Sequence, residues 1–234
     1  MGRHFEVRQA SMAATAKQKS AIYMRASKEI YMAAKRGTPD PSSNLALRAA
    51  IDKYRKDCPR DVIDRAIKKA QGGDQTNYIE GEYEAFGPAG TFLIVDTLTD
   101  NSNRALVNVR TIITRKGGHL GSVGYNFTNA GLLDFNFTGA ESDLEEALIL
   151  SDVDVTEITL EDGVAEVVVN PSDYDKAIEA LKGIGIEEFE VSKVTKLANE
   201  MVTLEGEELT RFKELMDNLD DCEDVQAVYH NVAL

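Results

Sequence analysis

The residues best suited to chemistry lie in one short stretch, Asp96-Thr97-Leu98-Thr99-Asp100-Asn101-Ser102-Asn103-Arg104. An apolar run, Phe92 to Val95, precedes five consecutive polar residues, Thr99 to Asn103, and Arg104 opens a helical pattern. A strand that turns into a helix leaves unpaired backbone N–H groups beside short hydrogen-bonding side chains. The simplest use of such a turn is a helix N-cap; the more demanding one is contact with a nucleic acid. The helix that follows, to about Lys116, carries Arg104, Asn108, Thr111 and Arg115 at i, i+4, i+7 and i+11. That spacing makes one polar stripe continuous with Asn101 and Asn103. Asp100 could act as an acid or base, but no partner for it is visible.

A second set of candidates is defined by charge. Residues 1–71 hold 16 Lys+Arg against 7 Asp+Glu, whereas residues 72–234 hold 10 against 33. A basic module joined to acidic ones can hold a polyanion on one face while the remainder repels it, so the distribution matters more than the net charge of −14. The cations that would make phosphate contacts are Lys17, Lys19, Arg25, Lys28, Lys35, Arg48, Arg55, Arg65, Lys68 and Lys69.

Catalytic signals are thin. His4, His119 and His230 are scattered, with no metal-spaced pair, and Cys58 and Cys222 form no CxxC motif, which predicts reduced structural thiols. The glycines at 117, 118, 121 and 124 lack the Gly-Lys-Ser/Thr of a phosphate-binding loop. Gly118-His119-Leu120-Gly121 matches a KH-type GxxG by letter without its usual basic residue, and reads as a turn. Gly183-Ile184-Gly185 lacks the rest of a dinucleotide fingerprint. The acidic run Asp217, Asp220, Asp221, Glu223 and Asp224 lacks calcium-loop spacing and reads as a solvated helix end. The expectation is a non-enzyme that needs no metal or cofactor.

The elements that must position these residues follow from periodicity. Residues 1–19 form a basic arm. Ile22, Ala26, Ile30 and Ala33 mark a helix from about Ser20 to Arg36, with Arg25, Lys28 and Lys35 projecting roughly opposite. Ser42 or Ser43 can cap a second helix to about Lys56, and Pro59 suits the first turn of a third that ends at Gly72-Gly73. From Tyr78 the pattern turns to strands: Tyr83–Phe86 and Thr91–Leu98 flank Gly87-Pro88-Ala89-Gly90, a hairpin. Residues 131–197 read in β-α-β-β-α-β order, that of a ferredoxin-like domain. A strand-helix-strand tail, from Met201 to Tyr229, would complete the 79–127 hairpin and helix, with the ferredoxin-like unit inserted between. The fold class is therefore α+β: a basic helical domain over 1–74, a discontinuous α+β domain over 75–130 plus 200–234, and an inserted domain over 131–199. No 18-residue apolar run or signal-peptide core is present, and Glu6 spoils an N-myristoylation match, so a soluble cytoplasmic protein is expected.

Several motifs, in order, resemble the signatures of the YebC/PmpR family. They are Asn44-Leu45-Ala46-Leu47-Arg48, Pro59 to Ile67, Tyr83 to Gly90, Leu98 to Arg104, Gly117 to Gly121 and Val228-Tyr229-His230-Asn231. Met1-Gly2-Arg3 and Glu29-Ile30-Tyr31 are most similar to its YeeN-like branch. The resemblance covers essentially the whole chain. It implies an N-terminal helical domain, two α+β domains with the third inserted in the second, and no known enzymatic activity. It also implies one of two roles: DNA-binding transcriptional regulation, or action in translation at the ribosome, as for the mitochondrial translational activator of cytochrome c oxidase. Two departures stand out. The arm reads His4-Phe5-Glu6-Val7-Arg8 where the family has a His-Ser-Lys-Trp-Ala-like opening, and Ser122-Val123 follows Gly121 at once.

The expected partner is thus DNA, or rRNA or tRNA on the ribosome, with no membrane and no small-molecule substrate, for a monomer or weak oligomer. DNA-binding regulation leads, ribosome-associated translation control is the alternative, and a protein scaffold using the acidic domains is a third possibility. No helix-turn-helix recognition helix is evident, so phosphate contact is the supported mode.

Overall fold

The computed structural model describes residues 16–72 and 76–233, and for residues 16–18 the backbone alone. The described chain separates into two compact units, one holding residues up to 126 together with 200–233, the other residues 127–199.

In the first unit, three helices come first: α1 (Ala16–Arg36), α2 (Leu45–Tyr54) and α3 (Arg60–Gln71). Their shared core is Ala26, Ile30, Ala34, Leu47, Ala50, Tyr54, Val62, Ile63 and Ala66. The expected serines do not cap α2. Asn44 does: its Oδ1 accepts from Leu47 N at 3.0 Å while its Nδ2 donates to Ala33 O and Thr38 O. Asn44 wins because its amide can serve both helix ends at once, which a hydroxyl cannot. A Cβ at Gly37 would collide with that amide, so the close turn requires glycine there.

The rest of this unit comprises β1 (Ile79–Phe86), β2 (Phe92–Thr99), α4 (Ser102–Arg115) and β3 (His119–Leu120). Expected to be a turn, β3 instead pairs antiparallel with β1, Phe86 opposite His119. After the inserted unit the chain returns as β8 (Val202–Thr203), α7 (Gly206–Asp220), β9 (Val225–His230) and β10 (Val232–Ala233). The sheet order is β3-β1-β2-β9. Thus β9 joins the hairpin as the tail pattern suggests, but β8 does not, pairing in parallel with β10. Helices α4 and α7 bury Val109, Ile113, Phe212, Leu215 and Leu219 against Ala85, Leu93, Val95 and Val225.

The second unit runs β4 (Phe127–Asn136), α5 (Glu141–Leu150), β5 (Val155–Glu161), β6 (Val164–Val169), α6 (Tyr174–Gly183) and β7 (Val191–Ala198). Its antiparallel order β5-β6-β4-β7 is the ferredoxin-like arrangement. The first strand begins earlier than its apolar run, because Phe127 to Ala130 pair with β7 at edge positions where polar side chains are tolerated. The fold is α+β.

Candidate nucleic-acid interface

The helical module was expected to turn its cations outward, and the structure divides them. Arg25, on the face of α1 away from the three-helix core, points at the return of α7 into β9. Its Nε donates to Val225 O at 3.0 Å, and Nη2 to Asp220 O and Oδ1 at 3.1 and 3.0 Å. One turn on, Lys28 Nζ donates to Leu98 O at 3.1 Å and to Glu223 O at 2.6 Å, and lies 3.8 Å from Asp224 Oδ1. The two side chains are 16% and 14% exposed, so they tie elements of the first unit together rather than face solvent. Lys35 Nζ donates to the Tyr31 hydroxyl, Thr76 O and Asn77 Oδ1. Lys69 lies 5.4 Å from the centre of the Tyr31 ring. Arg48 closes the turn before α2 by donating to Pro41 O and Ser42 O, though it remains exposed.

What remains outward is a mixed surface. Arg55 pairs with Asp52, Arg60 with Asp64 and Arg65 with Asp61, each within one helical turn. Such exposed pairs contribute little to stability. Lys19 and Lys68 are exposed with no ion-pair partner among the described residues. The expected arm, and the Lys17 side chain, lie outside the described residues.

The stretch that ends β2 is a structural junction. Asn101 caps α4, its Oδ1 accepting from Arg104 N at 3.0 Å. Thr99 Oγ1 accepts from Asn101 N at 3.0 Å. The Arg104 guanidinium turns away from the expected stripe and grips Asp224, Nη2 to Oδ1 at 2.7 Å and Nε to Oδ2 at 3.0 Å, with Nη2 also 2.8 Å from Asp100 Oδ1. Asn103 and Arg115 are exposed and Asn108 and Thr111 half-buried, so the stripe loses its leading cation.

Asp224 is the residue that sequence reasoning missed. Taken as part of a solvated helix end, its side chain is in fact fully buried. Burial alone would raise its pKa. The Arg104 and Thr99 hydrogen bonds, with the Arg104 and Lys28 charges, outweigh that and hold it below the usual carboxylate range. Those contacts drive the Arg104 guanidinium pKa upward, the Asp224 hydrogen bonds contributing most and Asp100 next. Lys28 is lowered by burial, against the pull of Asp224 and Glu223. The one available signal was a carboxylate directly preceding an apolar strand, and in a run of five acids that signal is invisible.

Elsewhere the chemistry is quiet. His230 is driven below its ordinary value, chiefly by burial; its Nδ1 accepts from Val232 N and its ring stands edge-on to Phe212. His119 stacks on Phe86. Burial, then Asp57, pushes the Cys58 thiol up to about 11, the opposite of an activated nucleophile. Among the described residues no group of three or more His, Cys, Asp or Glu could hold a metal, and no helix is long and apolar enough to cross a membrane.

Three helices, a sheet that takes its last main strand from the C-terminal part of the chain, and a ferredoxin-like unit make up an α+β protein, and among the described residues no catalytic constellation is assembled. Residues 3–73 match the family model of the TACO1/YebC protein N-terminal domain, and residues 78–232 that of the TACO1/YebC second and third domain. The chain belongs to the TACO1/YebC family. Among solved structures it is similar to the conserved hypothetical protein Aq1575 from Aquifex aeolicus, at 28% identity and a TM-score of 0.75, over 92% of this chain and 90% of that one.

Proposed function

We propose that this chain is a non-catalytic regulator of gene expression that binds structured RNA of the translation machinery through phosphate contacts of its helical module. The observation that carries this is the outward face of α3. Its N-terminal turns, the part of a recognition helix that meets base edges, present Asp61 and Asp64 paired to Arg65 and Arg60. Carboxylates there oppose entry into a groove lined by phosphates, whereas exposed cations suit recognition by shape and backbone. The DNA-binding alternative is favoured by the label of the family model over residues 78–232, which names transcriptional regulation.

Crosslinking in cells followed by sequencing of the bound nucleic acid separates the two. Recovery of rRNA or tRNA supports the proposal; recovery of promoter DNA overturns it in favour of transcription.

A further inference from the structure

In the ferredoxin-like unit, α5 and α6 bury Leu144, Leu148, Ala177 and Leu181 against the sheet. Their outer seam is left open. A groove of about 430 Å³ runs between them, floored by Ala147, Ala180 and Gly183 and walled by Leu150 and Ile184. Leu150 is 79% exposed, Ile149 beside it 69%, and Ile184 44%. Single exposed apolar residues are ordinary, but Leu150 and Ile184 both line one groove in a unit that already has its own core, and Ile149 lies exposed next to Leu150 in the chain.

The charge around the groove limits what can occupy it. Residues 127–199 contain 17 Asp+Glu, 4 Lys and no Arg. Glu179 lines the groove, and Glu146 and Asp175 lie one helical turn before Leu150 and Glu179 on the same faces. The lysine in the wall, Lys176, is held 3.1 Å from Asp173. A second copy of this unit would bring like charge against like, and a nucleic acid or an anionic bilayer would be repelled.

We propose that the α5/α6 groove docks an amphipathic, Lys/Arg-rich segment of a partner protein. Its apolar residues sit on Leu150 and Ile184, and its cations meet Glu146, Asp175 and Glu179. Proteins that coat nucleic acid carry such segments, so one chain would present a cationic face to the nucleic acid and an anionic groove to its protein coat. The inference stands whichever nucleic acid the helical module takes.

The test uses the full chain and a fluorescent Leu/Lys peptide with leucines at helical spacing, against a control of equal charge with serine for leucine. Expected are binding of the Leu/Lys peptide, backbone amide shifts confined to α5, α6 and the residues joining them to the sheet, and affinity for the control weaker by about tenfold or more. The double variant Leu150→Ser/Ile184→Ser, at exposed positions and so folded as judged by its thermal melt, should lose a similar factor. Equal binding of both peptides, or no effect of the double variant, would show only diffuse attraction to an acidic surface and overturn the proposal. Self-association in sedimentation that the double variant abolishes would assign the groove to a second copy, and also overturn it.

Discussion

Replacing Asp224 by Asn keeps the shape of the side chain and removes its charge, which isolates what the buried carboxylate does. In the native protein that carboxylate receives two hydrogen bonds from Arg104, one from Thr99, and the charge of Lys28 at 3.8 Å. Removing one partner of a buried ion pair costs about 3–5 kcal/mol when the other is left uncompensated. Here compensation is partial: Arg104 keeps Asp100, and Lys28 keeps Leu98 O and Glu223 O. The expected loss is therefore about 2–3 kcal/mol, or about 4–12 °C in Tm for a cooperative unit of this size. Urea unfolding with unchanged m-value, alongside calorimetry, measures it. Asp100→Asn, which removes the exposed partner of the same arginine, should change stability little. A D224N loss below about 0.5 kcal/mol, or equal losses in the two variants, would refute the reasoning that burial makes this carboxylate the centre of the junction.

The same variant has a pH signature. The native Asp224 pKa lies below its ordinary value of about 3.9, so the stability it contributes is present above that pH and is lost as pH falls through the native value. D224N should flatten the acid limb of the stability curve below about pH 4 and leave the neutral plateau shifted by a constant. An unchanged acid limb would mean that other carboxylates dominate it.

Further outcomes are expected. Reversing Lys19, Arg65 and Lys68 to Glu should reduce nucleic-acid affinity strongly without lowering the melting temperature, whereas reversing Arg25 or Lys28 should unfold the first unit; wild-type affinity should fall with salt at a log–log slope of about −3 to −5 for about four to six phosphates, and a flat plot would remove the nucleic-acid reading. Asn101→Ala should cost about 1 kcal/mol by loss of the α4 cap with nucleic-acid binding retained, so lost binding at full stability would give that side chain a contact role. His230, held in the neutral form by its half-buried setting, should titrate by NMR below its ordinary value of about 6.5 and make stability fall as pH drops below that point, a slope that His230→Gln removes; a raised value would contradict the burial argument.

Much of the fold was legible because local pattern and global demand agree. The helical stripe through Ala26 and Ile30, the Gly87–Gly90 hairpin and the β-α-β-β-α-β order all survive in the structure. The candidate site was less legible, for a definite reason. Periodicity shows that Arg25 and Lys28 lie off the core of their own helical module, but not that a segment 195–200 residues away covers them. Cations opposite an apolar stripe read as solvent-facing whenever the covering element is distant in sequence. Asp224 failed for the complementary reason, being indistinguishable by type from the four exposed acids around it.

That distance has a consequence for how the junction is made. Arg104 and Asp224 are 120 residues apart, and between them lies the whole of the inserted unit, whose own pairings join strands within residues 127–198. The first unit cannot complete its sheet until β9 docks on β2, since only then do Leu98 N and Asp224 O meet at 2.8 Å and the carboxylate find Arg104. Without that docking Arg25 would lack Val225 O and Asp220, Lys28 would lack Glu223 O, and Arg104 would keep only Asp100 of its carboxylates. Contacts of high sequence separation form late, because chain entropy is lost before they return any stability. In the folded protein the acidic return from α7 into β9 therefore both completes the sheet and meets three cations, Arg25, Lys28 and Arg104. This accounts for a carboxylate at 224 rather than the apolar residue that burial alone would select.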